Sequence, residues 1–320
     1  VNPELSDEAI EFGAFAGKAF EAAGEELAAS AVSEPKRRAA LVEPVLAELG
    51  AAELDPRRSD DEAEAAAALC RAAGHWAVPY PVAEWLARPT DLDATVGGLV
   101  VVDGPAPAAR VEGIDGCWLA LDLDGNRSLA EARPGAPSTR AGSLVVPLEL
   151  TPLADVAAES DLALGLVLPC FELLGMLDRA VELTRSYVVE RRQFGQPIAK
   201  FQGVQFQLTE AEVERTGLDV LAKYALWSFE TRSPDALDDA LALRAAAIEA
   251  ADVVFRVTHQ LHGAFGFCDE AALSWVSRAS VAIRRLPTGV TATRARLVRR
   301  VGRRGLTGLF NDDVGERPSA

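Results

Sequence analysis

The stretch that most constrains this chain runs from Leu166 to Val188. Leu166, Cys170, Leu173, Leu177, Val181, Thr184 and Val188 recur at steps of three and four residues, the period that lines side chains along one face of a helix. An apolar face of that length has to be covered by other helices. Two more long periodic stretches supply them, Phe206 to Arg232 and Ala236 to Leu261, separated by the loop and N-cap signal Ser233-Pro234-Asp235. Long helices joined by short connections read as an antiparallel bundle. Pro169 inside the first helix is expected to kink it or to mark its first turn.

What precedes the bundle changes character twice. Leu5 to Leu27 has helical spacing at Ile10, Phe12, Phe15, Ala19, Phe20 and Ala23, with Ser6 as N-cap. Arg38 to Leu49 is a second helix that stops at Gly50. Asp60 to Ala73 is a third that stops at Gly74, and Val82 to Ala87 is a short turn of helix. Then three strand candidates follow: Leu99 to Val102, Cys117 to Leu123 and Leu144 to Leu150. Gly, Pro and Asn/Asp punctuate between them. The expected fold is mainly α with a small central β domain. Its units are an N-terminal helical domain over 1–95, a reduced β domain over 96–152, a C-terminal helical bundle over 153–310 and a tail over 311–320.

A formal net charge of −16 and a pI near 4.7 repel nucleic acid at long range, so no nucleic-acid partner is expected. No uninterrupted apolar run reaches the roughly 18 residues of a membrane span, and the first 20 residues lack a secretory pattern. Cys70, Cys117, Cys170 and Cys268 lie far apart and read as reduced thiols. A cytoplasmic location and no membrane contact are the expectation.

The irregular string Tyr187-Val-Val-Glu-Arg191-Arg-Gln193-Phe194-Gly195-Gln-Pro197-Ile198-Ala-Lys-Phe201-Gln202-Gly-Val-Gln205 carries the specific signal. Gly195 is a helix stop, Pro197 prevents continuation, and Phe201-Gln202 opens the next helix. Arg191 and Gln193 are donors at a helix–helix corner, able to reach an acceptor such as a pyrophosphate. On physics alone a charged helix end before a tight corner explains the same residues.

The whole string resembles the R-x-F-G-x-P-I-x-x-F-Q signature of acyl-CoA dehydrogenases. Gln260-Leu261-His262-Gly263-Ala264-Phe-Gly266-Phe267 is similar to that family's second motif, Q-x-x-G-G-x-G-F, with Ala264 in place of the second glycine. The helical–β–helical order agrees, and the likeness is strongest from Leu173 to Arg278. The resemblance implies an acyl-CoA dehydrogenase-like fold. It also implies FAD contacts from Arg191, Gln193, Phe194 and Gln202 to a flavin bound mainly by a neighbouring subunit. Gln260, Leu261, His262, Gly263 and Ala264 would hold its ADP part, where glycine lets backbone approach a pyrophosphate.

Two departures from that pattern matter. The family removes an α-proton with a Glu placed either in a Y-E-G-T-like segment after the bundle or on the bundle's first helix. Here Pro287 falls on the first position and Gly165 on the second, and neither accepts a proton. The T-E-P-x-x-G-S-D-like loop and the strand motif that wrap the flavin ring are also missing from Val96 to Leu150. No catalytic residue is therefore assigned. The chain resembles the degenerate subunit of the α2β2 acyl-CoA dehydrogenases of actinobacterial steroid side-chain degradation. That implies a catalytic partner subunit, FAD shared with it and an acyl-CoA bound mainly by it, a steroid side-chain CoA ester among the candidates. Two alternatives stay open: a homo-oligomeric dehydrogenase with a displaced base such as Asp161, or a non-enzymatic acyl-CoA-binding or scaffold protein.

Two further features have a plain reading beside a functional one. His259 and His262 could share a helix face, yet no further ligands stand nearby, so no metal is expected. The arginines from Arg284 to Arg304 could meet phosphates or an acidic partner, or form the wet face of an amphipathic helix with Leu297 and Val301 inward.

Overall fold

Four helices open the chain in the computed structural model, which describes residues 4–92, 95–133 and 144–304. They are α1 (Asp7–Ser33), α2 (Arg38–Glu48), α3 (Asp60–His75) and α4 (Val82–Leu86). Ser6 Oγ accepts the Ala9 N–H at 3.3 Å and so caps α1, as expected. Gly24, at φ 71°, bends it. Gly50, also at positive φ, ends the turn after α2 as the sequence predicts. Gly74 does not end α3. It lies inside the helix, where an added Cβ would sit 1.8 Å from the Glu172 carbonyl oxygen. Gly175 meets the Arg71 carbonyl the same way at 1.9 Å. The two glycines let α3 and the bundle's first helix touch backbone to backbone, which a Cβ on either would prevent.

The middle unit is a five-stranded sheet in the order β1-β3-β4-β5-β2. Its strands are β1 (Val96–Val102), β2 (Ala108–Ala109), β3 (Cys117–Asp122), β4 (Asn126–Ala132) and β5 (Val146–Val156). The β1–β3 pair is parallel and the others are antiparallel. The three strands expected from sequence are there. β4 and β2 were not expected, because Asn-Arg-Ser-Leu-Ala-Glu-Ala is too polar to stand out and a two-residue strand has no period.

The bundle is built from α5 (Glu159–Glu190), α6 (Gln202–Glu230) and α7 (Ala236–His262), followed by α8 (Ala272–Arg285) and α9 (Val290–Arg304). α5 is its axis. It continues through Pro169 as one 32-residue helix, so the proline neither starts nor breaks it. Burial among α3, α7 and the sheet holds the helix together against the lost hydrogen bond. α5 is long and apolar enough to cross a membrane, but 78% of its most apolar window is buried inside the protein, which makes it a core helix. The expected tail, 311–320, lies outside the described residues.

Three arginines of the basic C-terminal helix are paired within the protein. Arg294 pairs with Glu249, and Arg296 with Asp124 at 2.6 Å. Arg300 takes both oxygens of Glu159 at 3.1 Å and reaches Asp238 as well. These contacts pin α9 across the β3–β4 turn and the start of α5. The side chains of Arg303 and Arg304 lie outside the described residues.

Candidate functional site

The corner after α5 is built differently from a simple helix stop. The helix ends at Glu190, and Arg191 turns the chain into extended backbone, its N–H still bonded to the Tyr187 carbonyl at 2.8 Å. Arg192-Gln193 then pairs antiparallel with Gln196-Pro197, forming β6 and β7 of a minimal hairpin. Gly195 belongs to the tip of that hairpin and not to the helix terminus. Phe194 and Gly195 occupy the tip with φ of 51° and 81°. Ile198, buried, anchors the return, and its N–H bonds to the Arg191 carbonyl at 2.8 Å.

The result is a polar knuckle. Arg191, Gln193 and Gln202 are exposed, and Phe194 is 92% exposed with its ring edge-on to Phe201. An aromatic ring left in water on a backbone conformation that disfavours side chains is costly for a free chain. Among the described residues, the side chains of Arg191, Gln193, Gln202 and Gln260 have no hydrogen-bond partner within the chain.

The second string closes α7 at the same end of the bundle. Gly263, at φ 61° and ψ −145°, turns the chain out of the helix into the short 3-10 turn Gly263–Phe267. Tyr187, one turn before Arg191, stacks on His262 with centroids 4.4 Å apart and on Phe265 at 6.0 Å. The two strings are thus brought together. Gln260, Gly263 and Ala264 are exposed and Leu261 is half-buried. His262 is buried, with Nδ1 2.9 Å from the Thr258 carbonyl. Burial holds its pKa below the ordinary value against that hydrogen bond. Its ring therefore belongs to the internal stack, and only its backbone faces the turn. His259 stacks instead on Phe267 at 4.3 Å. No cluster able to hold a metal occurs among the described residues.

Gly165 and Pro287, the two positions read as lacking a base, line one small cavity of about 30 Å³ together with Val101, Arg110 and Arg244. Small-molecule sites run to about 300–1,000 Å³, at least about tenfold more than this space. A Cβ on Gly165 would lie 2.7 Å from Leu99 Cδ2 and 2.8 Å from Val101 Cγ2. Asp161 does not line this cavity. It bonds Arg57 Nε at 2.7 Å, and that guanidinium also holds the carbonyls of Ala87 and Arg88.

Beside the cavity lies a charge cluster that the sequence reading missed, with Glu84 and Arg110 in the wall and Glu172 behind Arg110 in the core. Arg110 Nη2 donates to Glu172 Oε1 at 2.6 Å, and Arg110 Nε is 3.6 Å from Glu84 Oε1. All three side chains are nearly or fully buried. Burial pushes the Glu172 carboxyl up to about 7; Arg110 pulls against this and Glu84 adds to it. Burial works against the Arg110 charge, but Glu172 and Glu84 outweigh it and raise the pKa. Arg244 has no carboxylate beside it. Burial lowers its pKa, and it donates to the Ile283 and Thr288 carbonyls at 3.2 and 2.7 Å. The one sequence signal was Glu172 itself, a charge inside the apolar run Leu-Pro-Cys-Phe-Glu-Leu-Leu-Gly-Met-Leu.

Residues 155–302 match the family model "Acyl-CoA dehydrogenase, C-terminal domain". The bundle is similar to the C-terminal domain of acyl-CoA dehydrogenases. Acyl-CoA dehydrogenase FadE28 of Mycobacterium tuberculosis is 35% identical over 114 residues, covering 36% of this chain and 33% of that protein. Acryloyl-CoA reductase (NADH) of Anaerotignum propionicum is 29% identical over 105 residues, covering 33% of this chain and 26% of its own length. The matched stretch thus spans about a third or less of these curated relatives. Among solved structures, the ChsE4-ChsE5 complex from Mycobacterium tuberculosis aligns with a TM-score of 0.78 at 18% identity, over 96% of this chain and 100% of that one. A Tcur3481-Tcur3483 steroid ACAD variant aligns at 0.75 and 20%, over 94% and 99%. Butyryl-CoA dehydrogenase from Megasphaera elsdenii aligns at 0.69 and 13%, over 94% and 100%. At these identities the likeness establishes the acyl-CoA dehydrogenase fold along nearly the whole chain.

Proposed function

We propose that this chain is the non-catalytic subunit of a heteromeric, FAD-dependent acyl-CoA dehydrogenase, assembled as α2β2 with a catalytic subunit. One contrast carries the reading. Both positions where the family keeps its proton-abstracting Glu line a cavity too small for substrate, while the knuckle at the end of the bundle keeps its donors free. A subunit that has closed its own pocket yet still displays Arg191, Gln193, Phe194 and Gln202 fits a role at a neighbour's flavin.

The residues present suit the ADP side of FAD. Arg191 and Gln193 offer charge-assisted and neutral donors to a pyrophosphate. Gly263 lets backbone N–H groups approach it, and Ala264, exposed, adds one methyl beside that approach. When bound, FAD supplies the hydride acceptor for α,β-dehydrogenation. The partner contributes the base, the flavin-ring bed and most of the acyl-CoA site. A steroid side-chain CoA ester is the substrate we favour, because fold neighbours include a steroid ACAD and the ChsE4-ChsE5 complex.

The outer face of α6 suits a helical partner. Phe206, Val213 and Val220 are spaced seven residues apart and are 65%, 62% and 54% exposed, and Gly217 beside them leaves open space. Such a stripe is a liability in an isolated chain. Four unpaired cysteines suit a reducing, cytoplasmic setting.

Native mass spectrometry with a visible spectrum tests the reading on protein pulled from its own host. A heterotetramer with one FAD per heterodimer, losing flavin on Arg191→Ala, is the expected result. A yellow homo-oligomer with one flavin per chain, or a complex that is colourless throughout, overturns it.

A further inference from the structure

The cavity beside Gly165 and Pro287 lies where the three units of the chain meet. Glu84 reaches it from α4, Arg110 from the segment after β2, and Arg244 from α7 in the bundle. Arg110 and Arg244 are each 3% exposed, yet Arg110 Nε and Nη1 and Arg244 Nε have no hydrogen-bond partner in the protein. Glu84 Oε2 is buried and unpartnered too. A buried polar atom left unsatisfied is costly, more so when it is charged, so several around one space call for an occupant.

We propose that this junction is a water-binding site. An ordered water accepts from Arg110 and Arg244 and donates to Glu84, joining the N-terminal helical unit, the sheet and the bundle. The inference rests on reading the pocket as closed to substrate.

Size and charge select the occupant. The space is about 30 Å³, above the roughly 10–15 Å³ that a buried water requires, and such a water needs about two to four polar partners. The wall offers donors and an acceptor together. A halide ion could accept from the guanidinium groups but has no proton for Glu84 Oε2, and it would sit beside a carboxylate. A methyl-sized apolar group would satisfy none of these atoms. Water is the small species that does both. Arg244, which has no carboxylate beside it, then shares through the water the one negative charge in the cavity wall, that of Glu84.

A crystal structure of the chain in its native complex tests this, at a resolution that shows ordered water. The expected result is a peak in the cavity within hydrogen-bond distance of Glu84 Oε2, Arg244 Nε and a free Arg110 nitrogen. It should carry no anomalous signal after a bromide soak. Arg244→Met should remove or displace the peak while the Arg110–Glu172 pair stays in place. An empty cavity, a bromide signal, or a peak unmoved by Arg244→Met overturns the proposal. The flavin content of the same complex is read in parallel. A yellow heterotetramer with an empty cavity sinks the water site alone, whereas acyl-CoA turnover by this chain without its partner sinks the reading on which it rests.

Discussion

Arg110 Nη2 lies 2.6 Å from Glu172 Oε1, joining the segment after β2 to the core helix of the bundle. The pair is buried on both sides, with Glu172 1% exposed. An ion pair in that setting holds its two units in register, and its net worth depends on whether both partners are present.

Removing one partner should therefore be much worse than removing both. Arg110→Met leaves Glu172 and Glu84 buried without their counter-charge, and is expected to cost about 3–5 kcal/mol of unfolding free energy. Arg110→Met combined with Glu172→Leu and Glu84→Leu should recover most of that loss. Urea unfolding of the single and triple variants measures both. A triple variant no better than the single would mean that the charges are worth more than their packing volume.

Burial also makes stability depend on pH. Glu230 is pushed up to about 8 by burial and then by Glu64, Asp60 and Asp61. For a raised carboxyl the folded state holds the proton more tightly than the unfolded one. Its contribution is fully present below the unfolded value of 4.5 and is lost as pH rises through about 8. Stability should thus fall between about pH 5 and 8, a tenfold difference in proton affinity being worth at most about 1.4 kcal/mol. Glu230→Gln keeps the shape, removes one titration and should flatten the upper part of the curve. A thermal-shift series across that range decides it, and an unchanged slope in Glu230→Gln would refute the assignment.

Restoring a base by one substitution should fail for steric reasons. At Gly165 the Cβ alone would press on Leu99 and Val101 at 2.7 and 2.8 Å, and overpacking of that kind costs about 1–3 kcal/mol. Gly165→Glu is expected to lower the melting temperature and to give no acyl-CoA-dependent reduction of an artificial acceptor. Turnover in this variant without a partner would show that the pocket opens far more than its packing allows.

The bundle was legible because its periodicity is a local property. α6 and α7 fall within a few residues of the stretches read from spacing alone, and the knuckle stood out because its residues are too irregular for any period. The charge cluster was not legible. Glu84, Arg110, Glu172 and Arg244 come from four separate elements, and no spacing rule connects them; only a charge in an apolar helix face hinted at one member. Gly74 misled in the opposite way. In sequence it has the look of a helix stop, but its lack of a side chain serves the contact with Glu172 across α3 and α5. Local signals say what a residue permits, and only packing says which permission is used.

Phe194 offers the cleanest separation of folding from assembly. Its ring is 92% exposed, and its backbone sits at φ 51°, where glycine is at ease and a bulky side chain is not. Beyond the edge contact with Phe201 the free chain gains little from it. Phe194→Gly should leave the isolated subunit's stability unchanged, or raise it by up to about 1 kcal/mol as backbone strain is relieved. If the ring inserts into a partner's flavin site, the same change should weaken assembly or flavin retention at least tenfold, since about 1.4 kcal/mol is a factor of ten and a buried aromatic contact is commonly worth more. Unfolding of the free chain and flavin content of the assembled complex are the paired measurements. Equal loss in both would make Phe194 a structural residue of the hairpin; loss in the complex alone would make it an assembly residue.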